Sequence, residues 1–360
     1  MSTLDNFWAV VPAGGAGTRL WPLSRAGSPK FLHDLTGSGR TLIQATVDRL
    51  APLAGDRFIV VTGRSHEQAV AAQLPELGAA AVVAEPSARD SMAAIGLAAA
   101  ILEARDPDAV MGSFAADHVI ADPVEFRRVV ADAVEVARQG WLTTIGITPT
   151  HPATGFGYIA LGGPVGEGGG RRVEEFVEKP STEIAAQYVA AGYQWNAGMF
   201  VVRPGVLLDL LASTDPDFAA DLRRIAADPT LLEEVWPTLP RIALDHAVAE
   251  PAAAAGRVAV VPGDFGWDDV GDFASLRAIV AGGADEHGTV TVLGEAGVVR
   301  SVDSDGLVVP ASKRLVAVLG LHDVVVVDTP DVLLVTTRGR AQDVKAIVAA
   351  LKEDGHDDLV

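Results

Sequence analysis

Val10–Leu32 reads VVPAGGAGTRLWPLSRAGSPKFL. A β-branched apolar run ends in Gly14, Gly15 and Gly17, and two cations, Arg19 and Lys30, follow close behind. A glycine-rich turn after a strand lets backbone N–H groups approach a phosphate, because glycine has no Cβ in the way. Arginine forks onto two oxygens, and lysine brings a compact point charge. The loop is neither of the two common phosphate loops. A Walker A loop ends in Gly-Lys-Ser/Thr, which is absent, and a dinucleotide loop carries a third glycine where Leu20 stands. A lone Gly-x-Gly would read as an ordinary strand-to-helix turn. The company of Arg19, Trp21-Pro22 and Pro29-Lys30 favours a phosphate loop instead.

Outward from that loop, short β-branched runs alternate with Ala-rich helical runs. FWAVVPA, RFIVVTG, AAAVVAE, AVMGSFAADH and WLTTIGI read as strands. TLIQATVDRLAPL, SHEQAVAAQL, SMAAIGLAAAILEA and PVEFRRVVADAVEVARQG read as helices, the last with Pro123 near its first turn. Alternation at this spacing predicts βαβ units in a mostly parallel sheet, with ligands beyond the carboxyl ends of the strands. The glycine loop and AADH both fall at such ends. From His151 the texture changes: GFGYIAL and RRVEEFVEKP predict antiparallel strands, and helices are expected around Glu183–Ala191 and Pro204–Leu211. PGDFGWDDVG reads as turns before one more helix. After AGGADEHG, short runs (TVTVL, GVVRSV, GLVVP, RLVAVLGL, DVVVVDT, VLLVTT) are punctuated by Gly, Asp or Pro, which predicts an all-β module, a small coil of strands. AQDVKAIVAALK predicts a closing helix. The boundary is placed near residue 283, giving a catalytic domain over 1–283 and a β-helix-like module over 284–360 that ends in a helix.

At 360 residues the chain is long enough for about two domains. Its 49% hydrophobic and 21% charged residues are globular in balance, and no run approaches the eighteen apolar residues of a membrane span. MSTLDNFW carries an acid and no basic region, so no signal peptide is read there. Together with the absence of cysteine, which removes disulfides and thiolate metal sites, this predicts a cytoplasmic protein. A net charge of −19 repels nucleic acid polymers and anionic membranes. A nucleotide binder of this charge must concentrate its cations locally and recruit a divalent metal.

GGAGTRLWPLSR followed by PKFL resembles the signature of the sugar-nucleotide pyrophosphorylases, specifically the mannose-1-phosphate guanylyltransferases. The resemblance continues in order through EPSARDSMAAIGLAA, AADHVI, GITPTHPATGFGYI, FVEKP, WNAGMF, ALDHAVAE and FGWDDVGDF. It implies a Rossmann-like α/β nucleotide-diphospho-sugar transferase fold with a mixed sheet and a small left-handed β-helix-like module. It also implies transfer of GMP from GTP to mannose 1-phosphate with Mg2+. Separately, the apolar runs and weak polarity of the terminal β module suggest packing against the catalytic domain or a second subunit, and a homodimer is expected. Gly14, Gly15, Gly17 and Thr18 then match the triphosphate loop, and Arg19 and Lys30 the catalytic cations. Asp117 and Asp269 match the metal-holding carboxylates, with Asp268 as the alternative to its neighbour. Gly157, Glu178, Lys179 and Asn196 match the sugar-phosphate pocket. Glu85, Arg89, Asp90 and Ser91 are candidates for the guanine, although Asp90 or Ser91 reads equally as a helix cap. Three departures from the family pattern stand out. Lys30 runs directly into Phe31 where the family inserts a glutamine, Ala115 replaces a proline, and Asp90-Ser91-Met92-Ala93 replaces Asn-Thr-Ala-Pro. Longer relatives add an isomerase domain after the β module, so guanylyltransferase activity alone is expected. The same reaction on a heptose or glucose phosphate or with another nucleotide, and a catalytically silent regulatory subunit, are the alternatives.

Overall fold

The apolar run that leads into the glycine loop is a strand, Phe7–Ala13. In the computed structural model, which describes residues 3–15, 17–166, 168–281 and 289–360, it lies inside a nine-stranded sheet. The strand order is Val82–Glu85, Phe58–Gly63, Phe7–Ala13, Val110–Ser113, Gln194–Val202, Leu142–Ile147, Val258–Gly263, Arg171–Val177, Gly157–Pro164. The first four run parallel. Parallel strands covered on both faces read as unbroken apolar runs, and every residue of Phe58–Gly63 but the terminal glycine is buried.

The helices explain that cover. Asp90–Arg105 buries residues on every side, Met92, Ile95, Leu97 and Leu102 among them, and packs in one core with Phe218 and Leu222 of the helix Pro216–Ala227. Pro123–Arg138 is amphipathic and turns Phe126, Val129, Val130, Ala133 and Val134 inward. Its start is set by Asp122, whose carboxylate accepts from Val124 N at 2.9 Å and Glu125 N at 3.0 Å. Pro123 takes the first position, where no N–H is needed.

The sheet is mixed rather than mostly parallel. Gln194–Val202 runs antiparallel between Val110–Ser113 and Leu142–Ile147. Alternation does not reveal this strand, because Asn196 and Gly198 interrupt its β pattern. Gly198 has φ +66°, and the register with Leu142–Ile147 shifts between Thr144 and Gly146. Gly157–Pro164 and Arg171–Val177 form the expected antiparallel pair, and Gly157 lies opposite Asn196. Pro216–Ala227 and a π-helical turn, Asp245–Ala249, also lie outside the predicted elements.

The chain divides into two compact units. One holds Met1–Gly14, Thr46–Ala116 and Ile120–Trp267; the other holds Gly15–Ala45, Asp117–Val119 and Asp268–Val360. In the second, Val290–Val292, Gly306–Pro310 and Val324–Asp328 stack in parallel. Val299–Val302 and Val316–Leu319, which alternate with them along the chain, form a second parallel pair. This is the coil of strands the texture predicts. Leu333–Thr337 adds an antiparallel edge, and Val344–Glu353 is the closing helix.

The expected boundary at 283/284 lies outside the described residues, and packing divides the chain differently from a single cut there. Leu20, Trp21, Leu42, Val270 and Phe273 share one core with Leu307, Val325, Val327, Ala341 and Val344. Leu20 closes a three-residue 3-10 turn, Thr18–Leu20, far too short to bury it or the Trp21 that follows, so both take their cover from the β module. Trp21 Nε1 donates to Leu359 O at 2.6 Å. Among the described residues no helix is long and apolar enough to cross a membrane.

Candidate active site

Four of the residues singled out by sequence gather in the second unit. Lys30 Nζ donates to Asp117 Oδ2 at 2.9 Å and to the main-chain oxygen of Asp269 at 2.6 Å. The Lys30 and Asp117 side chains are only 12% and 18% exposed, so this pair is more than a surface contact. Arg19 Nη1 donates to Gln342 Oε1 at 3.1 Å, and Gln342 Nε2 donates to Asp272 Oδ2. Asp272 is the N-cap of Phe273–Val280 and forms a capping box with Ser275. Gly17 explains part of the glycine loop. With φ +55° it takes a left-handed conformation, and a Cβ there would lie 2.7 Å from Ser24 Oγ and 3.3 Å from Lys30 Cγ. Thr18 begins the 3-10 turn that carries Arg19.

The two adjacent aspartates have different surroundings. Asp268 Oδ1 accepts from Val270 N at 2.7 Å and so is spent on its own turn. Burial pushes its carboxyl up to about 6. Burial also raises Asp269, but the charges of Lys30 and Arg19 oppose the shift, and Asp117 adds to it. The Lys30 charge acts on both carboxylates, and the Asp269 carboxylate shares its field with Asp117 and Arg19 as well. Val270 between Asp269 and Gly271 has φ +49°, a region β-branched residues avoid, and is fully buried. Such strain persists where packing overdetermines it, and functional segments collect it.

A second cluster lies in the first unit. Gly157, Glu178 and Asn196 come together, and Lys179 Nζ pairs with Glu178 Oε1 at 2.6 Å. Asn196 is 8% exposed; its Oδ1 accepts from Thr144 Oγ1 and Gly198 N, each at 3.1 Å. Glu178 Oε2 is buried without a hydrogen-bond partner among the described residues, and an ideal Cβ on Gly157 would stand 2.4 Å from it. Gly157→Ala therefore pushes aside the flexible end of Glu178 rather than backbone. Its thermal midpoint is expected to stay near the wild-type value while the KM for the sugar phosphate that the family resemblance implies rises on the order of tenfold, about 1.4 kcal/mol. A variant with unchanged KM would place Glu178 outside the pocket.

The guanine candidates are not one group. Glu85 ends the strand Val82–Glu85, is 9% exposed, and has its carboxyl pushed up to about 7, chiefly by burial. The Arg89 guanidinium donates to Leu239 O at 3.1 Å and to Pro237 O, and Ser91 Oγ accepts from Leu244 N at 2.9 Å. Both side chains hold the Pro237–Leu244 segment, whose carbonyls and amide take them as partners where it passes. Asp90, with φ +65°, accepts from its neighbour Ser91 N at 2.9 Å. Glu85 has a pH signature. An acid whose folded-state pKa lies above its unfolded value costs stability as pH rises, here from about 4.5 to about 7. The midpoint of Glu85→Gln relative to wild type is expected to climb across that interval. A difference independent of pH would contradict the buried carboxyl.

Comparison with known proteins bears on this geometry. The family described as Nucleotidyl transferase matches residues 8–285, and the MannoseP isomerase/GMP-like beta-helix domain matches 297–351. Mannose-1-phosphate guanylyltransferase of Escherichia coli K12 is 40% identical over 98% of this chain and 74% of its own length. The chain belongs to the mannose-1-phosphate guanylyltransferase family of nucleotidyl transferases. Alginate biosynthesis protein AlgA of Pseudomonas aeruginosa is 36% identical over 96% of the chain and 72% of its own length. A solved structure described as mannose-1-phosphate geranyltransferase, from Thermus thermophilus, superposes with TM-score 0.85 at 36% identity and covers 96% of this chain and 99% of its own. A UDP-glucose pyrophosphorylase, at 15% identity and TM-score 0.51, shares the fold.

Within this family setting, sequence reasoning missed Thr144, Asp245, Asp272 and Gln342. Asp272 was legible, since Asp followed three residues later by Ser before an apolar run is a helix-start signal. Asp245 lies in the ALDHAVAE motif, which by itself gives it no role. Gln342 carries no signal in a single sequence, because its partner Arg19 lies 323 residues away.

Proposed function

We propose that the chain transfers GMP from GTP to α-D-mannose 1-phosphate, giving GDP-mannose and pyrophosphate. The observation that carries this reading is the Lys30 ammonium, held by the Asp117 carboxylate and the Asp269 carbonyl in the unit that holds Arg19 and Gly17. A phosphate oxygen of the sugar attacks the α-phosphorus in line. The new P–O bond forms as the bond from the α-phosphorus to the α,β-bridging oxygen breaks, and pyrophosphate leaves with the electron pair. The attacking oxygen is already anionic, so no general base is required. The barrier is the meeting of two anions, and fixed cations lower it. Lys30 and Arg19 supply them, and the glycine loop offers N–H groups to the phosphates.

Asp117 and Asp269 suit Mg2+. Among the described residues no group of three or more His, Cys, Asp or Glu could hold a metal unaided. Two carboxylates, with substrate phosphates and water completing the shell, are what Mg2+ takes in phosphoryl-transfer sites. When bound, the ion would neutralise phosphate charge. Glu178 and Asn196 offer an acceptor and a donor to sugar hydroxyls, Lys179 a cation to the sugar phosphate, and Glu85 an acceptor to a purine N–H. A homodimer belongs to the same reading, with Val302, Leu315, Leu319, Leu333 and Val335 as exposed apolar residues to cover. Light scattering that gives a monomer at micromolar concentration would remove it.

The test is pyrophosphate release with Mg2+, using GTP, ATP, UTP and dTTP against mannose, glucose and heptose 1-phosphates. Fast release with GTP and mannose 1-phosphate alone is expected. A different preferred pair would move the substrate assignment, and no release from folded protein would favour a catalytically silent subunit.

A further inference from the structure

We propose that Asp245 is a positioning residue of the sugar-phosphate subsite, fixing the Asn196 amide so that its nitrogen, not its oxygen, is presented beside Glu178. The inference rests on the functional reading above. Asn196 Nδ2 donates to Asp245 Oδ1 at 2.6 Å, while Asn196 Oδ1 receives Gly198 N and Thr144 Oγ1. A backbone N–H only donates, and an ionised carboxylate only accepts. The chemistry of the partners therefore dictates the orientation of the amide. One Nδ2–H goes to Asp245, and the second has no protein acceptor among the described residues. Glu178 Oε2, over Gly157, is a buried acceptor with no donor among the described residues. A hydroxyl donating to Glu178 and accepting from Asn196 would satisfy both.

The local backbone supports the assignment. Asp245 opens the π-helical stretch Asp245–Ala249, and such turns recur at functional sites. Burial raises the Asp245 carboxyl, the Glu178 charge raises it further, and the Asn196 amide opposes both. A half-buried carboxylate held next to another acid is costly, and the hydrogen bond from the Asn196 amide offsets part of that cost.

The experiment compares Asp245→Ala, Asp245→Leu and Asp245→Asn with wild type, using the sugar 1-phosphate the wild type prefers. Asp245→Ala and Asp245→Leu remove the acceptor, and each is expected to raise the KM for the sugar phosphate on the order of tenfold, leaving the KM for GTP within about twofold. Discrimination between mannose and glucose 1-phosphates should shrink in the same two variants. Asp245→Asn can turn its own oxygen to Asn196 and is expected to recover most of the lost affinity. Wild-type KM for the sugar phosphate in Asp245→Ala or Asp245→Leu, or an equal rise in both KM values, would overturn the proposal. If wild-type protein turns over no sugar phosphate, the functional reading falls first and takes this inference with it. Three variants remain available should Asp245→Ala fail to fold: Asn and Leu at 245, and Asn196→Asp, which should lose sugar-phosphate affinity by removing the donor.

Discussion

Lys30→Ala lowers turnover of GTP and mannose 1-phosphate by about 10²–10³-fold, with far-ultraviolet dichroism unchanged. The Lys30 ammonium is the most enclosed cation of the cluster, with a side chain only 12% exposed, and it touches both halves of the proposed metal site. On the proposed reading its removal strips the charge that meets the developing negative charge at the α-phosphate. It also leaves Asp117 without its ion-pair partner and Asp269 with Arg19 as its remaining cation. Lys30→Met keeps much of the stem packing and should fall as far as Lys30→Ala, which separates charge from volume. Raising Mg2+ should not restore either variant. Turnover within tenfold of wild type would remove Lys30 from the chemistry.

Asp269→Asn is expected to lower turnover on the order of 10²-fold or more while the fold becomes no less stable. The sign follows from the buried carboxyl. Burial holds Asp269 above the ordinary aspartate range even though Lys30 and Arg19 pull it down. An acid raised on folding binds its proton longer in the native state, so its contribution to stability declines as pH rises through that interval. The amide removes the cost, and the thermal midpoint near neutral pH should match or exceed wild type. Activity and stability then move in opposite directions, as expected where a site keeps a costly charge for function. Asp268→Ala, by contrast, removes the acceptor for Val270 N and is expected to destabilise the strained turn more than it alters the metal dependence. If Asp268→Ala abolished the Mg2+ response and Asp269→Asn did not, the two assignments would exchange.

The first half of the fold was legible because parallel strands and their covering helices write themselves as apolar runs at two distinct periods. Phe7–Ala13, Phe58–Gly63 and Pro123–Arg138 fall where those periods put them. Gln194–Val202 did not, since its glycine and asparagine serve a bulged antiparallel strand whose partners lie some fifty and ninety residues back in the chain. The β module was legible as texture, but its role in burying Leu20 and Trp21 was not, because one sequence carries no record of which apolar faces meet. The site shows the same division. Residue type and family motif singled out Lys30, Asp117 and Asp269, and the fold brings those three together. The hydrogen bonds of Arg89 and Ser91 to the backbone of Pro237–Leu244 were not legible, because they join segments about 150 residues apart. Asp245 and Gln342 act on other side chains rather than on a substrate, and that kind of role becomes visible only with coordinates.

The measurement that tests the central claim most directly is a crystal structure of the protein with GDP-mannose and Mg2+. A cation bonded at about 2.1 Å to carboxylate oxygens of both Asp117 and Asp269 and to a nucleotide phosphate, with Lys30 and Arg19 turned to phosphate oxygens, is the predicted result. Nucleotide bound with its cation on other residues, and Lys30 still closed on Asp117, would contradict it.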